Sequence, residues 1–411
     1  MSLSRRTLLA SAASLAAVPS LSRAQTVPQK IKIGALSDFS GPYRDTDGIV
    51  GTLCLQQAAR EFMAANPGIE IEIVTADHQN KPDVGLAIVR EWFDRGGVDA
   101  IAQLGNTSVA IGCIALAQEK DKVVLNTGTS SSILTGQYCS PNQIHWSYDT
   151  WCISHATATA LTKNGGSKWY FITADYTFGH ALATDAKHFV VEAGGKILGE
   201  ATYPFPGTSD FAALLLNAQN SGANVIAFAN SGTDLANCLK QAKEFGLSQA
   251  GVRLAGMIFF ITDVMAVGID NAQGTITTET FYWDLNNRTR AFYNRLKPTL
   301  SANTFPNMGQ AGAYSAGVHY FKAIKAMGIQ QAKESGRATV ETMKRMPTDD
   351  DCFGPGSIRI DGRKLHPAYL FRVKTPRESL GPGDVYTLVD TIPADQAFRP
   401  LAEGGCPFIK V

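Results

Sequence analysis

The chain has 411 residues, 45% hydrophobic and 18% charged. That composition supports a large buried core and, at roughly 100–200 residues per domain, two lobes. The formal charge is +1, and removing Arg5, Arg6 and Arg23 with residues 1–24 leaves 34 basic residues against 36 acidic. This balance excludes an electrostatic grip on nucleic acid or an anionic membrane surface, leaving a small-molecule enzyme, a binding protein or an interaction scaffold.

Residues 1–24 read as an export signal. Ser4-Arg5-Arg6-Thr7-Leu8-Leu9 opens it, a small and apolar run follows, and Ser22-Arg23-Ala24 offers small residues at a cleavage site. The paired arginines are similar to a twin-arginine signal, and an ordinary secretory signal is the alternative. The mature chain is then expected to begin near Gln25 in the periplasm. It should carry no lipid anchor, because the first cysteine is Cys54, and no later stretch is apolar enough to span a membrane. In that compartment disulfides are permitted, and the 7 cysteines leave an odd one. Cys139, Cys152, Cys352 and Cys406 stand in loop-like surroundings, whereas Cys54, Cys113 and Cys238 stand on apolar helical faces.

Strand and helix then alternate. Ile31–Ser37 reads as a strand and Gly48–Ala65 as a helix stopped by Asn66-Pro67-Gly68. Ile69–Ala76 reads as a strand, Pro82–Phe93 as a helix, Val98–Leu104 as a buried strand, Ser108–Gln118 as a helix and Val123–Asn126 as a strand. After a loop the pattern restarts with strand Trp169–Ala174, helix Gly179–Glu192, strand Ile197–Tyr203 and helix Phe211–Asn220. Strand Val225–Ala229, helix Leu235–Glu244 and strand Leu254–Met257 continue it. Two such series predict two α/β lobes, each a parallel sheet covered by helices. Helices Met308–Met327 and Ala338–Met346 follow, and strands Ser357–Ile360, Tyr369–Val373 and Val385–Thr391 end the chain with little helix between them.

The signal, Ile31–Gly41 (IKIGALSDFSG), Ala76–Pro82 (ADHQNKP), Ala174–Gly179 (ADYTFG) and the late strands together resemble the leucine/isoleucine/valine-binding type of periplasmic solute-binding protein. The resemblance implies the type I fold: two doubly wound α/β lobes joined by three hinge crossovers, with ligand trapped between them. It places lobe 1 at 25–145 and 285–355 and lobe 2 at 146–284 and 356–411. It implies a monomer that binds a small organic acid or amino acid and docks on an ATP-driven permease in the inner membrane. No cofactor, metal, nucleic acid or membrane insertion is expected. In open α/β sheets ligands sit beyond the carboxyl ends of the strands, where helix N-termini offer free N–H groups. The resemblance carries ligand contact onto Asn106, Thr107, Thr127 and Thr129 in the loops after two strands, and onto Tyr176 from the second lobe. Ser130–Ser132 are weaker candidates in the same loop. Tyr43, Trp151, Phe259 and Tyr282 are further aromatic candidates; Trp146 and Tyr148 also stand in loops. Each polar candidate also has an ordinary use as a cap or turn former, and each aromatic as packing.

One departure from the family bears on the ligand. Amino-acid-binding members carry a glutamate after the strand matching Leu254–Met257; here Ile258-Phe259-Phe260-Ile261 follows, with no acid until Asp263. A buried ammonium without a counter-charge is costly. The expected ligand is therefore a branched or aromatic 2-oxo acid or an aryl carboxylate, unless Asp149, Asp175 or Asp284 supplies the acid. No nucleophile elbow, metal-ligand spacing, P-loop or dinucleotide fingerprint supports an enzyme. A periplasmic ligand sensor feeding a membrane receptor is the alternative, and a periplasmic hydrolase a remote one.

Overall fold

The computed structural model of the chain describes residues 29–409, so the expected export signal lies outside the described residues. The chain opens with β1 (Gln29–Ser37), α1 (Gly48–Ala65), β2 (Ile69–Asp77), α2 (Pro82–Asp94), β3 (Ala100–Gln103), α3 (Thr107–Glu119), β4 (Val123–Asn126) and β5 (Gln143–His145). It continues through α4 (Thr150–Lys163), β6 (Lys168–Ala174), α5 (Thr177–Glu192), β7 (Lys196–Tyr203), α6 (Ala212–Asn220), β8 (Val225–Ala229), α7 (Thr233–Glu244), β9 (Arg253–Gly256), α8 (Ile261–Val267), α9 (Ile269–Ala272) and β10 (Ile276–Glu279). Four helices follow: α10 (Asn287–Leu296), α11 (Met308–Met327), α12 (Ile329–Glu334) and α13 (Gly336–Arg345). Last come β11 (Ser357–Ile358), β12 (Lys364–Leu365), β13 (Ala368–Val373), β14 (Tyr386–Ile392) and α14 (Ala394–Ala397).

Lobe 1 is a five-stranded sheet in the order β2-β1-β3-β4-β5, and lobe 2 a four-stranded sheet in the order β7-β6-β8-β9. Every pairing in both is parallel. The sequence explains the inner strands: Ala-Ile-Ala-Gln in β3, Val-Val-Leu-Asn in β4 and Val-Ile-Ala-Phe-Ala in β8 are buried throughout, as helix cover on both faces demands. Beside lobe 2, β10-β13-β14 form an antiparallel sheet.

The chain passes between the lobes after β5, after β10 and after β12, and the three passages are tied together. Thr280 Oγ1 donates to Ser147 O at 3.1 Å. Arg363 Nη1 donates to Tyr148 O at 3.1 Å, and His145 N to Gly362 O at 2.9 Å. Helix α4 was not among the elements expected from the sequence. Asp149 caps it, accepting from Cys152 N at 2.8 Å. Its Ala- and Thr-rich sequence has a weak apolar stripe because both α5 and β10 pack on it, and Ile153 and Ala158 belong to a core shared by both lobes. Of the four loop-like cysteines, Cys139 and Cys406 form a disulfide, while Cys152 and Cys352 are buried thiols. That bond ties the segment around Cys406 to the loop after β4, where Arg399 Nη2 also donates to Ser132 O at 2.8 Å.

Candidate functional site

A cavity lies between the lobes at the carboxyl ends of both sheets. Lobe 1 contributes Tyr43, Thr46 and Asp47 after β1, Gly105 and Thr107 after β3, and Gly128 and Ser130 after β4. Tyr148 enters from the first passage, and lobe 2 contributes Tyr176 and Phe178 after β6, Ser231 after β8, and Ile258 and Phe260 after β9. The space among these residues, part of it open to solvent, amounts to about 340 Å3. The two lobes touch one another beside it.

Direct contacts hold the shut form. The hydroxyls of Tyr43 and Tyr176 meet at 2.6 Å across the cleft. Phe205 stacks on both rings, at 5.3 Å and 4.5 Å between centroids. Thr233 N donates to Pro42 O at 3.1 Å, and the Ser108 and Thr177 hydroxyls lie 3.1 Å apart. Burial pushes both tyrosine hydroxyls well above the ordinary phenol range, so they remain protonated donors.

The structure brings together Tyr43, Thr107 and Tyr176 of the nine candidate residues. Thr107, the first residue of α3, is 1% exposed and its hydroxyl has no partner among the described residues. The other six lie elsewhere. Asn106 caps α3, accepting from Ser108 N at 2.9 Å and Val109 N at 3.2 Å. The Thr129 hydroxyl donates to Leu104 O and so joins the two loops instead of facing the cleft. Thr127 is buried against α11, where a Cβ on Gly312 would stand 3.5 Å from its own Cβ. Trp151 packs on His155 and Phe189, at 4.8 Å and 5.1 Å between centroids. Phe259 turns into the core of lobe 2, because alternation along the extended segment sends Ile258 and Phe260 to the cleft and the residue between them inward. Tyr282 donates to Gly383 O at 2.7 Å, bracing the second passage.

The three aspartates expected as possible ammonium partners are also engaged away from the cavity. Asp149 caps α4, Asp175 pairs with His180 at 2.8 Å, and Asp284 pairs with Arg290 at 2.7 Å. Asp263 turns back onto Phe260 N at 2.8 Å, and Glu279 accepts from Ile261 N at 2.9 Å, so these N–H groups at the start of α8 are already paired. The acid that lines the cavity is Asp47, which the sequence reading did not single out. A residue just ahead of a helix reads as an N-cap, and Asp47 makes no cap bond.

Residues 30–378 match the family model described as periplasmic binding protein. Among solved structures, a periplasmic binding protein from Burkholderia mallei is 38% identical and superposes with a TM-score of 0.88, covering 93% of this chain and 100% of that one. A branched chain amino acid ABC transporter periplasmic ligand-binding protein from Burkholderia xenovorans is 33% identical with a TM-score of 0.78, covering 92% and 99%. A solute binding protein of an ABC transporter from Rhodopseudomonas palustris, in complex with 4-hydroxybenzoate, shares the fold at 24% identity and a TM-score of 0.76, covering 89% and 97%. No sequence among curated proteins matches.

Proposed function

The chain belongs to the periplasmic binding protein family, whose members are solute-binding proteins and not enzymes, and on that premise we propose that it is the solute-binding component of an ATP-driven importer. The solute is a small carboxylate, either an amino acid or a 2-oxo or aryl acid, held between the lobes and handed to an inner-membrane permease. The chain reaches the periplasm on its cleavable signal and works there as a monomer.

The observation that carries this reading is Thr107: it lines the cavity between the lobes, and its hydroxyl is buried without a partner among the described residues. A buried hydroxyl left unpaired costs about 1–3 kcal/mol, which a ligand oxygen can recover. The start of α3 adds favourable potential for an anion at the same place. Tyr43, Tyr176 and Phe260 give the site apolar walls, and the two tyrosines add hydroxyl tips, which suits a small solute with one polar end. Two relatives above 30% identity are a periplasmic binding protein and a branched chain amino acid ABC transporter ligand-binding protein, which supports the transport role. The binding cycle follows from the lobes: solute meets lobe 1 in the open form, lobe 2 rotates onto it, and the closed form is the one presented to the permease.

A thermal-shift screen of amino acids, 2-oxo acids and aryl carboxylates tests the reading. At a hundredfold excess over Kd the true solute stabilises the native state by about 2.7 kcal/mol, and it is recovered chemically unchanged. A screen in which no small carboxylate raises the Tm, or in which the bound compound is consumed, would overturn it.

A further inference from the structure

Asp47 is built into the floor of the cleft. Its carboxylate makes no cap bond to α1; Oδ2 accepts from Ser37 Oγ at 2.7 Å and Oδ1 from Gln103 Nε2 at 3.3 Å. Gln103 is itself fixed, donating to Gly48 O at 3.0 Å and accepting from Thr52 Oγ1 at 2.8 Å. A Cβ added to Gly105 would stand 2.5 Å from the Asp47 carboxylate, and one on Gly128 2.4 Å from it. Both loops that follow the lobe 1 strands thus carry glycine where this side chain lies across them. The carboxylate occupies ground at the loop ends that a solute anion would otherwise take, and Asp47 is 3% exposed.

Among the described residues no positive charge is paired with it. The cavity lining includes no lysine, arginine or histidine. In its own loop Asp38 is an acid already satisfied by Ser40 N, Gly41 N, Tyr43 N and Asn80, and Arg44 pairs outward with Asp45 at 3.5 Å. The first passage faces it with Tyr148, and β6–α5 contributes Tyr176. Beyond the cavity wall, α7, α8 and β10 carry Asp234, Asp263 and Glu279, all acids. A buried carboxylate with neutral or acidic neighbours is unfavourable in the charged form. Accordingly its proton affinity rises, to a pKa of about 6, chiefly through burial.

Resting on the reading of the cleft as a carboxylate-binding site, we infer that Asp47 selects the solute by charge: the ligand is a zwitterion whose protonated amine pairs with Asp47 while its carboxylate meets Thr107 and the start of α3. The acid missing after β9 is thereby supplied from the opposite lobe, and the preference for an ammonium-free ligand drawn from the sequence reverses. A solute with a carboxylate alone would set two like charges side by side, and one of them would have to take a proton.

Calorimetry on the mature chain with two matched pairs tests the assignment: L-phenylalanine against phenylpyruvate, and L-leucine against 4-methyl-2-oxopentanoate. At pH 7.5 the amino acid of the binding pair should be tighter by about tenfold or more, and Asp47→Asn should erase most of that preference. The unmutated protein supplies a second readout that needs no variant to fold. From pH 7.5 to 5.0 Asp47 takes up its proton, so amino-acid affinity should fall by about tenfold. A 2-oxo acid that binds more tightly than its amino partner, and tightens further at pH 5.0, would show a protonated Asp47 donating to a carboxylate. That result overturns the zwitterion assignment while leaving the carboxylate site intact. Should neither pair bind, the solute found by the wider screen decides: one without a basic nitrogen overturns the assignment, and a screen with no hit overturns the cleft reading itself.

Discussion

Thr107→Val removes the hydroxyl from the cleft and keeps the shape. In the bound form that hydroxyl is expected to donate to a charged ligand oxygen, a bond with a net value of about 1.5–3 kcal/mol. Losing it weakens binding by roughly 10- to 150-fold, at about 1.4 kcal/mol per tenfold. In the empty protein the sign is different. The hydroxyl is buried without a partner in the shut cleft, so a methyl there removes a desolvation cost instead of an interaction. Water relieves part of that cost when the lobes open, so the ligand-free Tm should be unchanged or slightly raised. Calorimetric affinity and ligand-free melting, measured on the same two proteins, separate the terms. Unchanged affinity would take Thr107 out of the site, and a ligand-free Tm lowered by several degrees would mean that the hydroxyl has a structural partner.

Gly128→Ala places a methyl 2.4 Å from Asp47 Oδ1, so the carboxylate must shift; titration should show binding at least tenfold weaker with the circular dichroism spectrum retained. Glu279 is fully buried, and burial pushes its pKa up to about 8, with Asp263 at about 7. The folded state therefore keeps protons that the unfolded chain has lost, and stability should fall as pH rises from 6.5 to 8, by about 1.5 kcal/mol for Glu279 alone. Buried His145 and His366, held below their ordinary value of 6.5 by burial, act with the opposite sign only at lower pH. Thermal melts of Glu279→Gln should show a flatter decline across that window, and an unchanged slope would contradict the assignment. Thiol titration of the denatured, unreduced chain should count five thiols, the set left by one disulfide. Cys406→Ser should lower the Tm markedly, since the bond closes a span of 267 residues, whose chain entropy is worth up to about 5 kcal/mol.

Periodicity carried most of the architecture because the inner strands β3, β4 and β8 are short apolar runs and the outer strands β2 and β7 alternate, each set off by turn signals. It failed at α4, whose face is spread between two neighbours so that no single stripe marks it. At the site, the strand-end rule located the loops after β3 and β4, and Thr107 with them. It did not resolve which hydroxyls point outward: Thr129 and Ser130 are adjacent, yet the turn sends one to Leu104 O and the other to the cleft. Phe259 and Phe260 pose the same ambiguity, settled by one step of backbone alternation. Asp47 was hidden because an aspartate before a helix has a commonplace role, and only the inward turn of its side chain and the bare glycines across from it reveal another. The cysteine pairing depends on the path of the last residues, which local sequence does not record.

The central claim is that a small carboxylate is captured by closure of two lobes, and small-angle scattering of the protein with and without saturating solute tests it most directly. The shut form, held by the Tyr43–Tyr176 hydroxyl contact and by Phe205 stacked across both rings, should dominate with solute, while the empty protein samples an open cleft. The account requires a smaller radius of gyration on saturation. Identical curves for empty and saturated protein would contradict it, since the lobes would then not close on the solute.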